Sequence, residues 1–447
     1  MALSYHDLEQ IQPPRNVADL GVPVGIVEDL FLRKLCAARH STIGDIATSL
    51  GVSTMVGTEI AESLRDKKLL MYQGTDGRDY RITPTEMGMS TTTDRMKLGT
   101  HSGMIPVPMQ QYQTLVELQR SDIEVSRDSI QKAFRSMIIE DYILDQVGPA
   151  MTSSGAVLLY GPSGTGKSTI SEKLIELYDD VIAIPRYVIA DDQIISVFDP
   201  SVHSPVEDQP DGLDPRFVIC RRPIVIVGGE LELEMLELQY DSLSGISQAP
   251  IHMMANNGIL VIDDFGRQAF RPAQLLNRWI LPLASGVDYL QNKSGSKLTI
   301  PFAMKLIFST NIEPAKLGDE AFLRRLRSKI FVGPCSRNSF DWIIEKVAAT
   351  NGLVVQEQSK DWIASICQSY LGELRPYIAV DICELAVDVA RYEGSDLILT
   401  ESLIAKVADL FFVKDASSSP KKMPQFNAPM PDNAESQLVA PQGDRRG

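Results

Sequence analysis

A phosphate-binding loop between a strand and a helix constrains this chain more than any other feature. Residues 156–160 read Ala-Val-Leu-Leu-Tyr, an apolar run typical of a buried strand, and the spacing Gly-x-x-x-x-Gly-Lys-Ser follows directly. Glycines let the main chain turn its N–H groups inward around an anion. We therefore expect a phosphate group to bind at Gly161, Pro162, Ser163, Gly164, Thr165, Gly166, Lys167, Ser168 and Thr169.

The last residues of this loop carry chemistry for a nucleotide. Lys167 places a positive charge where the β- and γ-phosphates of ATP would lie, and the Ser168 hydroxyl is a ligand for Mg²⁺. The sequence predicts a helix from Lys167 to about Tyr178, with the positive end of its dipole toward the phosphates. ATP and Mg²⁺ are thus the expected cofactors.

A second motif indicates hydrolysis. Residues 258–262, Gly-Ile-Leu-Val-Ile, are typical of a buried parallel strand, and Asp263 and Asp264 follow it. Parallel sheets place their ligands at the carboxyl ends of the strands. Asp263 is therefore predicted to hold Mg²⁺, and Asp264 to orient or activate the attacking water.

With these motifs, the chain from about Asp122 to about Phe412 resembles the AAA+ ATPase family. Residues 305–311 look like the sensor 1 strand, which ends at Asn311, a residue that would touch the γ-phosphate or the water. Residues 319–326 look like the helix that carries the arginine finger, so Arg324 or Arg325 would reach the ATP of a neighbouring subunit. The resemblance implies an α/β fold with a P-loop parallel-sheet core, a C-terminal helical lid and a homo-oligomeric ring, usually a hexamer.

Two positions depart from the family pattern. The acidic pair is Asp263-Asp264 where Asp-Glu is usual, and the shorter carboxylate predicts slow turnover. The sensor 2 arginine normally begins a lid helix, which we predict here over about 380–392. Arg375 is the nearest upstream candidate.

Composition and charge indicate the class of protein and its expected location. The 447 residues include 44% hydrophobic and 23% charged residues, which is ordinary for a globular protein, and the net charge is −15. No run of 18 apolar residues predicts a membrane span, and residues 1–7 do not resemble a signal peptide. The five cysteines are scattered, so we expect reduced thiols and a cytoplasmic location.

The chain divides into a leader (1–22), a small α+β domain (23–98), a linker (99–121), the ATPase core (122–332), a helical lid (333–412) and a disordered tail (413–447). In the small domain, helices at 26–38, 43–50 and 53–68 precede a hairpin, an order that resembles a winged helix.

A winged helix leaves a DNA-binding role open, but the charges of this segment disfavour it. Residues 1–100 hold 11 Lys+Arg and 13 Asp+Glu, and Glu59 and Glu62 lie in the first part of the third helix. Phosphates would be repelled there, so a protein contact is favoured.

Other segments carry simpler predictions. A helix is expected at about 128–143, before Gly148-Pro149, and a strand at 223–227. Residues 230–238 alternate acidic and apolar groups, as in a solvated helix face. A hairpin is expected at 287–291 and 297–300, and Trp342 and Trp362 are expected to pack inside the lid.

Together these features predict an ATP-driven ring that remodels or assembles a protein client. Residues 262–268 and 274–278 look closer to MoxR-like and chaperone-like AAA+ proteins than to helicases. Three alternatives remain. One is a DNA-binding transcription regulator, although the Gly-Ala-Phe-Thr-Gly-Ala loop of one such group is absent. Another is a nucleotide-gated scaffold that hardly hydrolyses ATP. The third is a small-molecule kinase, in which the sensor and arginine motifs would have no role.

Overall fold

The structure is a computed structural model, and it describes residues 11–120, 125–153, 155–317 and 323–412. The chain divides after Gly333 into a larger and a smaller compact unit. Each unit has its own hydrophobic core, and each is described by itself. The predicted leader up to residue 10, residues 319–322 of the predicted arginine-bearing helix, and the predicted tail lie outside the described residues.

Four helices and a small antiparallel sheet form the first part of the larger unit; the sequence predicts the first three helices and the hairpin. Thr42 and Ser53 cap the second and third helices by accepting from the N–H groups of Asp45 and Val56. The last strand of the sheet lies between the other two. The elements are α1 Val24–Ala38, β1 Ser41–Thr42, α2 Ile43–Ser49, α3 Thr54–Asp66, β2 Leu70–Asp76, β3 Asp79–Pro84 and α4 Glu86–Met96.

The stretch predicted to be a linker is folded against its neighbours. It contains strand β4 (Val107–Pro108) and helix α5 (Met109–Leu118). Val107 and Leu115 are fully buried, and Arg33 donates to the carbonyl of His101 at 2.9 Å. The prolines in this stretch suggest a linker because they restrict the backbone locally. Burial of each large apolar side chain contributes about 1.5–3 kcal/mol to folding, however, and several such side chains stabilise a folded conformation here.

The remaining helices of the larger unit surround a parallel sheet. They are α6 Arg127–Phe134, α7 Asp141–Thr152, α8 Lys167–Lys173, α9 Ile251–Met254, α10 Pro272–Ser285 and α11 Pro314–Leu317. The single helix predicted over 128–143 is wrong: residues 135–140 separate α6 from α7, and Met137 and Ile139 pack on the core there. Helix α7 also continues through Gly148-Pro149, because Val147 and Met151 on either side are buried.

The other described strands of this unit form one parallel sheet, one mixed sheet that includes β4, the β14-β15 hairpin and the antiparallel β6-β9 pair. They are β5 Ala156–Tyr160, β6 Val181–Pro185, β7 Tyr187–Ala190, β8 Gln193–Ser196, β9 Phe217–Arg221, β10 Ile224–Val227, β11 Gln239–Asp241, β12 Ile246–Gln248, β13 Ile259–Ile262, β14 Val287–Gln291, β15 Lys297–Pro301, β16 Lys305–Thr310 and β17 Leu326–Phe331. The predicted strands around 156–160, 223–227, 258–262 and 305–310 and the 287–300 hairpin are all present.

The parallel sheet has the order β10-β13-β16-β5-β17, and every neighbouring pair is parallel. Its central strands β5, β13 and β16 are almost wholly buried, as their apolar runs predict. All carboxyl ends therefore meet at one edge and all amino ends at the other. This arrangement confirms the predicted α/β class.

A mixed sheet of order β11-β12-β8-β7-β4 and the β6-β9 pair were not predicted. Apart from β4, their strands lie between β5 and β13 in sequence. Residues 230–238 do not form the predicted helix face. They hold only the short 3₁₀ turn Leu233–Leu236, because Leu231 and Leu236 are fully buried and the acidic residues between them face outward. No helix among the described residues is both long and apolar enough to cross a bilayer.

The smaller unit is helical, as predicted for the lid. Its helices α12 Arg337–Asn351, α13 Glu357–Leu371, α14 Pro376–Glu393 and α15 Glu401–Phe411 enclose a core that includes Phe340 and Ile382. Trp362 packs on this core, but the prediction for Trp342 is wrong, since 66% of its surface is exposed. Helix α14 begins at Pro376, earlier than predicted, because proline suits the first turn of a helix.

Candidate nucleotide site

The loop between β5 and α8 needs glycine at three positions. Gly161, Gly164 and Gly166 have φ values of +148°, +77° and +93°. These angles are rare for residues that carry a Cβ atom. A Cβ atom on Gly161 would also lie 2.2 Å from the carbonyl oxygen of Val332. The glycines thus produce a bare, curved main chain, which is the surface that a phosphate requires.

Lys167 lies against this loop. It is only 8% exposed, and its Nζ donates to the carbonyls of Gly161 at 3.0 Å and Pro162 at 2.7 Å. The Thr165 hydroxyl donates to the same Pro162 carbonyl at 3.1 Å. Ser168 and Thr169 are exposed in the first turn of α8. The ammonium is therefore held where it would meet a phosphate in the loop, and the Ser168 hydroxyl is open to a ligand.

Two carboxylates follow strand β13 at the same edge of the sheet. The N–H of Asp263 donates to the Val227 carbonyl at 2.7 Å, which continues the pairing with β10. Asp264 is exposed and has a φ of +46°, in the left-handed region. Its N–H donates to Oδ1 of Asp263 at 2.9 Å. Aspartate tolerates this backbone better than glutamate, which gives a local reason for the shorter acid at this position.

Gln268 holds this acidic turn and was not predicted. Its Nε2 donates to the carbonyls of Gly228 at 3.0 Å and Asp263 at 3.1 Å. Its Oε1 accepts from the N–H of Gly266 at 2.9 Å. The side chain is 8% exposed, so these bonds are shielded from water. Sequence spacing carries no signal for such a contact, since the partners come from two different strand ends.

Asn311 lies directly after β16, the strand between β5 and β13. The N–H of Gly161 donates to the Thr310 carbonyl at 3.3 Å, which brings Asn311 beside the start of the phosphate loop. The buried Thr310 hydroxyl donates to the Phe265 carbonyl at 2.6 Å. Strand β16 thus joins the loop to the acidic turn, and the structure brings together Lys167, Asp263, Asp264 and Asn311 at one edge.

The two arginines predicted as fingers lie at the other edge. Arg324 and Arg325 form a turn before β17 and are not on a helix, because the β17 strand starts at the very next residue. In the sheet register Leu326 pairs with Ala156, the first residue of β5, whereas Phe331 pairs with Tyr160 beside the loop. The length of a strand therefore separates these arginines from the phosphate loop of their own chain.

Arg375 belongs to the smaller unit. It precedes the first residue of α14, and its guanidinium contacts the Glu373 carboxylate at 2.6 Å. The predicted sensor 2 residue therefore lies at the start of a helix. Its role toward a nucleotide stays a prediction.

The groups at the carboxyl edge suit magnesium bound with a nucleotide. Within the described ranges, no set of three or more His, Cys, Asp or Glu side chains could hold a metal by itself. Mg²⁺ in nucleotide sites needs no such set, because it keeps several waters and binds phosphate oxygens with one or two protein groups. The exposed Ser168 hydroxyl and the Asp263 carboxylate provide those groups.

The sheet and its loops define the class of the protein: an α/β P-loop protein, with a glycine loop after one strand and an acidic turn two strands away. Among solved structures, similar ones include the Thermotoga maritima RuvB Holliday junction branch migration motor, 13% identical, with 65% of this chain and 72% of that chain covered and a TM-score of 0.35. A mutant form of the same RuvB is 12% identical over 64% of this chain and 70% of that chain, with a TM-score of 0.36.

At these scores the likeness carries no argument, and the class rests on the strand order and the loop geometry. No model of a known protein family matches the chain, and no curated protein is similar to it in sequence.

Proposed function

We propose that this chain binds Mg-ATP at the carboxyl edge of its parallel sheet and hydrolyses it to ADP and phosphate, as an AAA+ ATPase. The observation that carries the proposal is the meeting of three elements at that edge: the glycine loop with Lys167, the acidic turn with Asp263 and Asp264, and Asn311. Each element follows a different strand of one sheet. A loop that only linked a strand to a helix would not require these partners.

Each residue has a separate task in this proposal. The loop amides and Lys167 bind the phosphate oxygens and hold the triphosphate in line for attack. Ser168 and Asp263 would hold the magnesium ion, which neutralises charge on the phosphates when it is bound. Asp264 accepts a hydrogen bond from the attacking water and orients it. Asn311 donates to the γ-phosphate or to that water, so both reactants are positioned by neighbouring strands.

Phosphate release separates this function from a nucleotide-gated scaffold. We expect steady release from Mg-ATP by the full chain and a loss of about 100-fold or more in Lys167→Ala, because the lysine acts where charge develops. Lys173→Ala is the matched control, since Lys173 lies on the same helix and pairs with Glu176 at 2.5 Å. Equal, near-zero rates in the full chain and Lys167→Ala would instead favour the scaffold.

We further propose that Arg324 or Arg325 completes the site of a neighbouring copy. Their position at the amino edge, a strand length from their own phosphate loop, supports action in trans. Such a contact is head-to-tail and closes into a ring when the rotation allows, a hexamer in the usual AAA+ case. Arg375 would be the sensor 2 residue of the same site.

The work of the ring is proposed to be the remodelling of a protein client through the N-terminal part, which we interpret as winged-helix-like. Its cations are largely paired with acids: Lys67 with Glu28 at 2.6 Å, and Arg65 with the neighbouring Asp66 at 3.0 Å. Paired cations are poorly available to DNA phosphates. Exposed methionines lie on the same part, including Met55 at 65% and Met87 at 59%, and methionine suits adaptable protein contacts.

A gel shift with duplex DNA at low and moderate salt tests this choice of partner. We expect no shift by the full chain at micromolar concentration. A shift that weakens steeply with salt would assign the module to DNA and favour the regulator. The cytoplasm is the proposed setting, because none of the five cysteines, all of which lie in the described ranges, forms a disulfide.

A further inference from the structure

The amino edge of the parallel sheet holds a cavity of about 520 Å³, on the opposite side from the nucleotide site. All five strands contribute to it at or just before their first residues. Gly155 precedes β5, Gly258 precedes β13, Lys305 begins β16, and Arg222 and Arg324–Arg327 lie by the starts of β10 and β17. Residues 151–153 at the end of α7 and residues 282–286 at the end of α10 complete the wall, so the cavity lies between the amino edge of the sheet and the neighbouring helix ends.

The lining of this cavity is strongly basic. Six Lys or Arg side chains line it, and no Asp or Glu does so among the described lining residues. The chain as a whole carries 58 acidic and 43 basic residues, so the basic lining found among the described residues is opposite in sign to the overall charge. The six cations are Arg120, Arg222, Lys305, Arg324, Arg325 and Arg327.

Three backbone carbonyl groups, and no carboxylate among the described lining residues, stabilise the ammonium group of Lys305. Lys305 donates from Nζ to the carbonyls of Ala150 at 2.6 Å, Ser153 at 2.5 Å and Gly155 at 3.0 Å. Burial and the nearby charge of Arg327 lower the pKa of Lys305 to about 8. Because burial and a like charge destabilise this ammonium group, an anion that binds beside it would stabilise its charged form.

Arg222 contributes a fixed positive end to the same wall. It is 6% exposed and donates to the Asn257 carbonyl at 2.6 Å and to the Gln119 carbonyl at 2.9 Å. Asp180, which is not part of the lining, pairs with it from outside the cavity at 2.5 Å. The carboxylate thus fixes the position of the arginine and balances its charge, so the excess positive charge of the lining comes from the other cations.

Arg327 and Arg120 are the side chains that can reach a ligand. Arg327 is exposed and crosses over Gly155, where a Cβ atom would lie 2.6 Å from its Cγ. Arg120 lies just after α5, has 48% of its side chain exposed and contacts the Glu117 carboxylate at 3.5 Å. Arginine forks bind phosphate oxygens in pairs, and a cavity of this volume suits a small ligand.

We propose that this cavity binds a diffusible phosphate-bearing small anion, of the size of pyrophosphate or a nucleotide phosphate group, at a site separate from the phosphate loop. The site belongs to a single chain, because all of its lining residues lie in the larger unit of that chain. It is distinct from the proposed action of Arg324 and Arg325 on a neighbour, since Arg120, Arg222, Lys305 and Arg327 come from other positions.

Calorimetric titration with inorganic pyrophosphate, without nucleotide, tests the proposal on the full chain at a dilution where light scattering shows single copies. We expect two sites per chain in the wild type and one in Lys167→Ala. In Arg120→Ala/Arg327→Ala the cavity site should weaken at least about tenfold while the loop site keeps its affinity. Arg65→Ala/Arg81→Ala, which removes two exposed arginines elsewhere, should leave both sites unchanged.

Three results would overturn the cavity site: no remaining binding in Lys167→Ala, remaining binding that the Arg120/Arg327 pair does not affect, or binding that appears only in assembled protein. The last result would assign the phosphates to a neighbour's nucleotide. Failure of the loop proposal would look different, since Lys167→Ala would then keep the same two sites as the wild type.

Discussion

The two edges of one parallel sheet handle anions in different ways. At the carboxyl edge, a glycine loop and one lysine form the proposed phosphate site, and Asp263 and Asp264, the groups proposed for metal and water, lie beside them. At the amino edge, side-chain cations line a cavity that contains no carboxylate among its described residues. The carboxyl edge combines a cation with carboxylates, which suits the proposed hydrolysis. The described lining at the amino edge has cations without carboxylates, which suits the binding of an anion.

Replacing Arg324 and Arg325 together tests whether these residues contribute to ATP hydrolysis in a neighbouring subunit. We expect Arg324→Ala/Arg325→Ala to lose roughly 10³-fold in ATP hydrolysis while ATP binding stays within a few-fold, because a finger stabilises charge only in the transition state. Phosphate release and nucleotide titration measure the two effects. Lys329→Ala, on the strand β17 that follows the two arginines, is the control. Normal turnover in the double variant would contradict action in trans.

The acidic turn tests the chemistry of the carboxyl edge. Asp264→Asn should lower kcat by about 100-fold with little change in Tm, because asparagine accepts the φ of +46° but cannot serve as a base. Asp264→Glu carries the carboxylate usual in the family and is the companion variant. Activity of Asp264→Asn near the wild-type level would show that this carboxylate does not handle water.

A substitution of Gln268 tests whether fixing the position of the acidic turn at Asp263 and Asp264 affects catalysis. Gln268→Leu removes the donor to the Gly228 and Asp263 carbonyls. We expect kcat to fall about tenfold with KM within twofold, since misplacing a positioned group affects the transition state more than binding. Gln274→Leu, which alters only the cap of α10, should leave kcat unchanged. A rise in KM without a change in kcat would contradict a positioning role.

The smallest expected effect is a pH dependence from the amino edge. The pKa of Lys305 is about 8 in the folded chain and 10.5 in its ordinary state, so between these values the unfolded chain binds more protons. Stability from this group therefore rises with pH across pH 8 to 10.5, and the cost of the buried charge is fully present below pH 8.

Urea unfolding of the wild type and Lys305→Met at pH 7.5 and pH 10 isolates this contribution, because buried cysteines and tyrosines titrate equally in both. The wild type should lose less, or gain more, stability than Lys305→Met on going to pH 10. The same change in both proteins would show that Lys305 is not stressed by its surroundings.

Much of the carboxyl edge could be predicted because its signals are local. The strands around Leu158, Val261 and Ile307 are short apolar runs, and the loop has a fixed spacing that a glycine backbone explains. The parallel order of these strands then brings Lys167, Asp263 and Asn311 to one edge.

The amino edge could not be predicted, because its residues share no spacing. Arg120, Arg222 and Lys305 are far apart in the sequence and meet only through strand order and register. The same limit explains the missed Gln268, the mixed sheet around β7 and β8, and the exposed Trp342, whose apolar spacing resembled that of a core residue.

A calorimetric titration of Mg-ATP into the wild type and Lys167→Ala tests the central claim most directly. The account predicts a saturable site on each wild-type chain, with an affinity that falls at least about 100-fold in Lys167→Ala, because the loop and its lysine bind the phosphates together. Equal affinity in the two proteins, or no affinity in either, would contradict the assignment of the carboxyl edge as a nucleotide site.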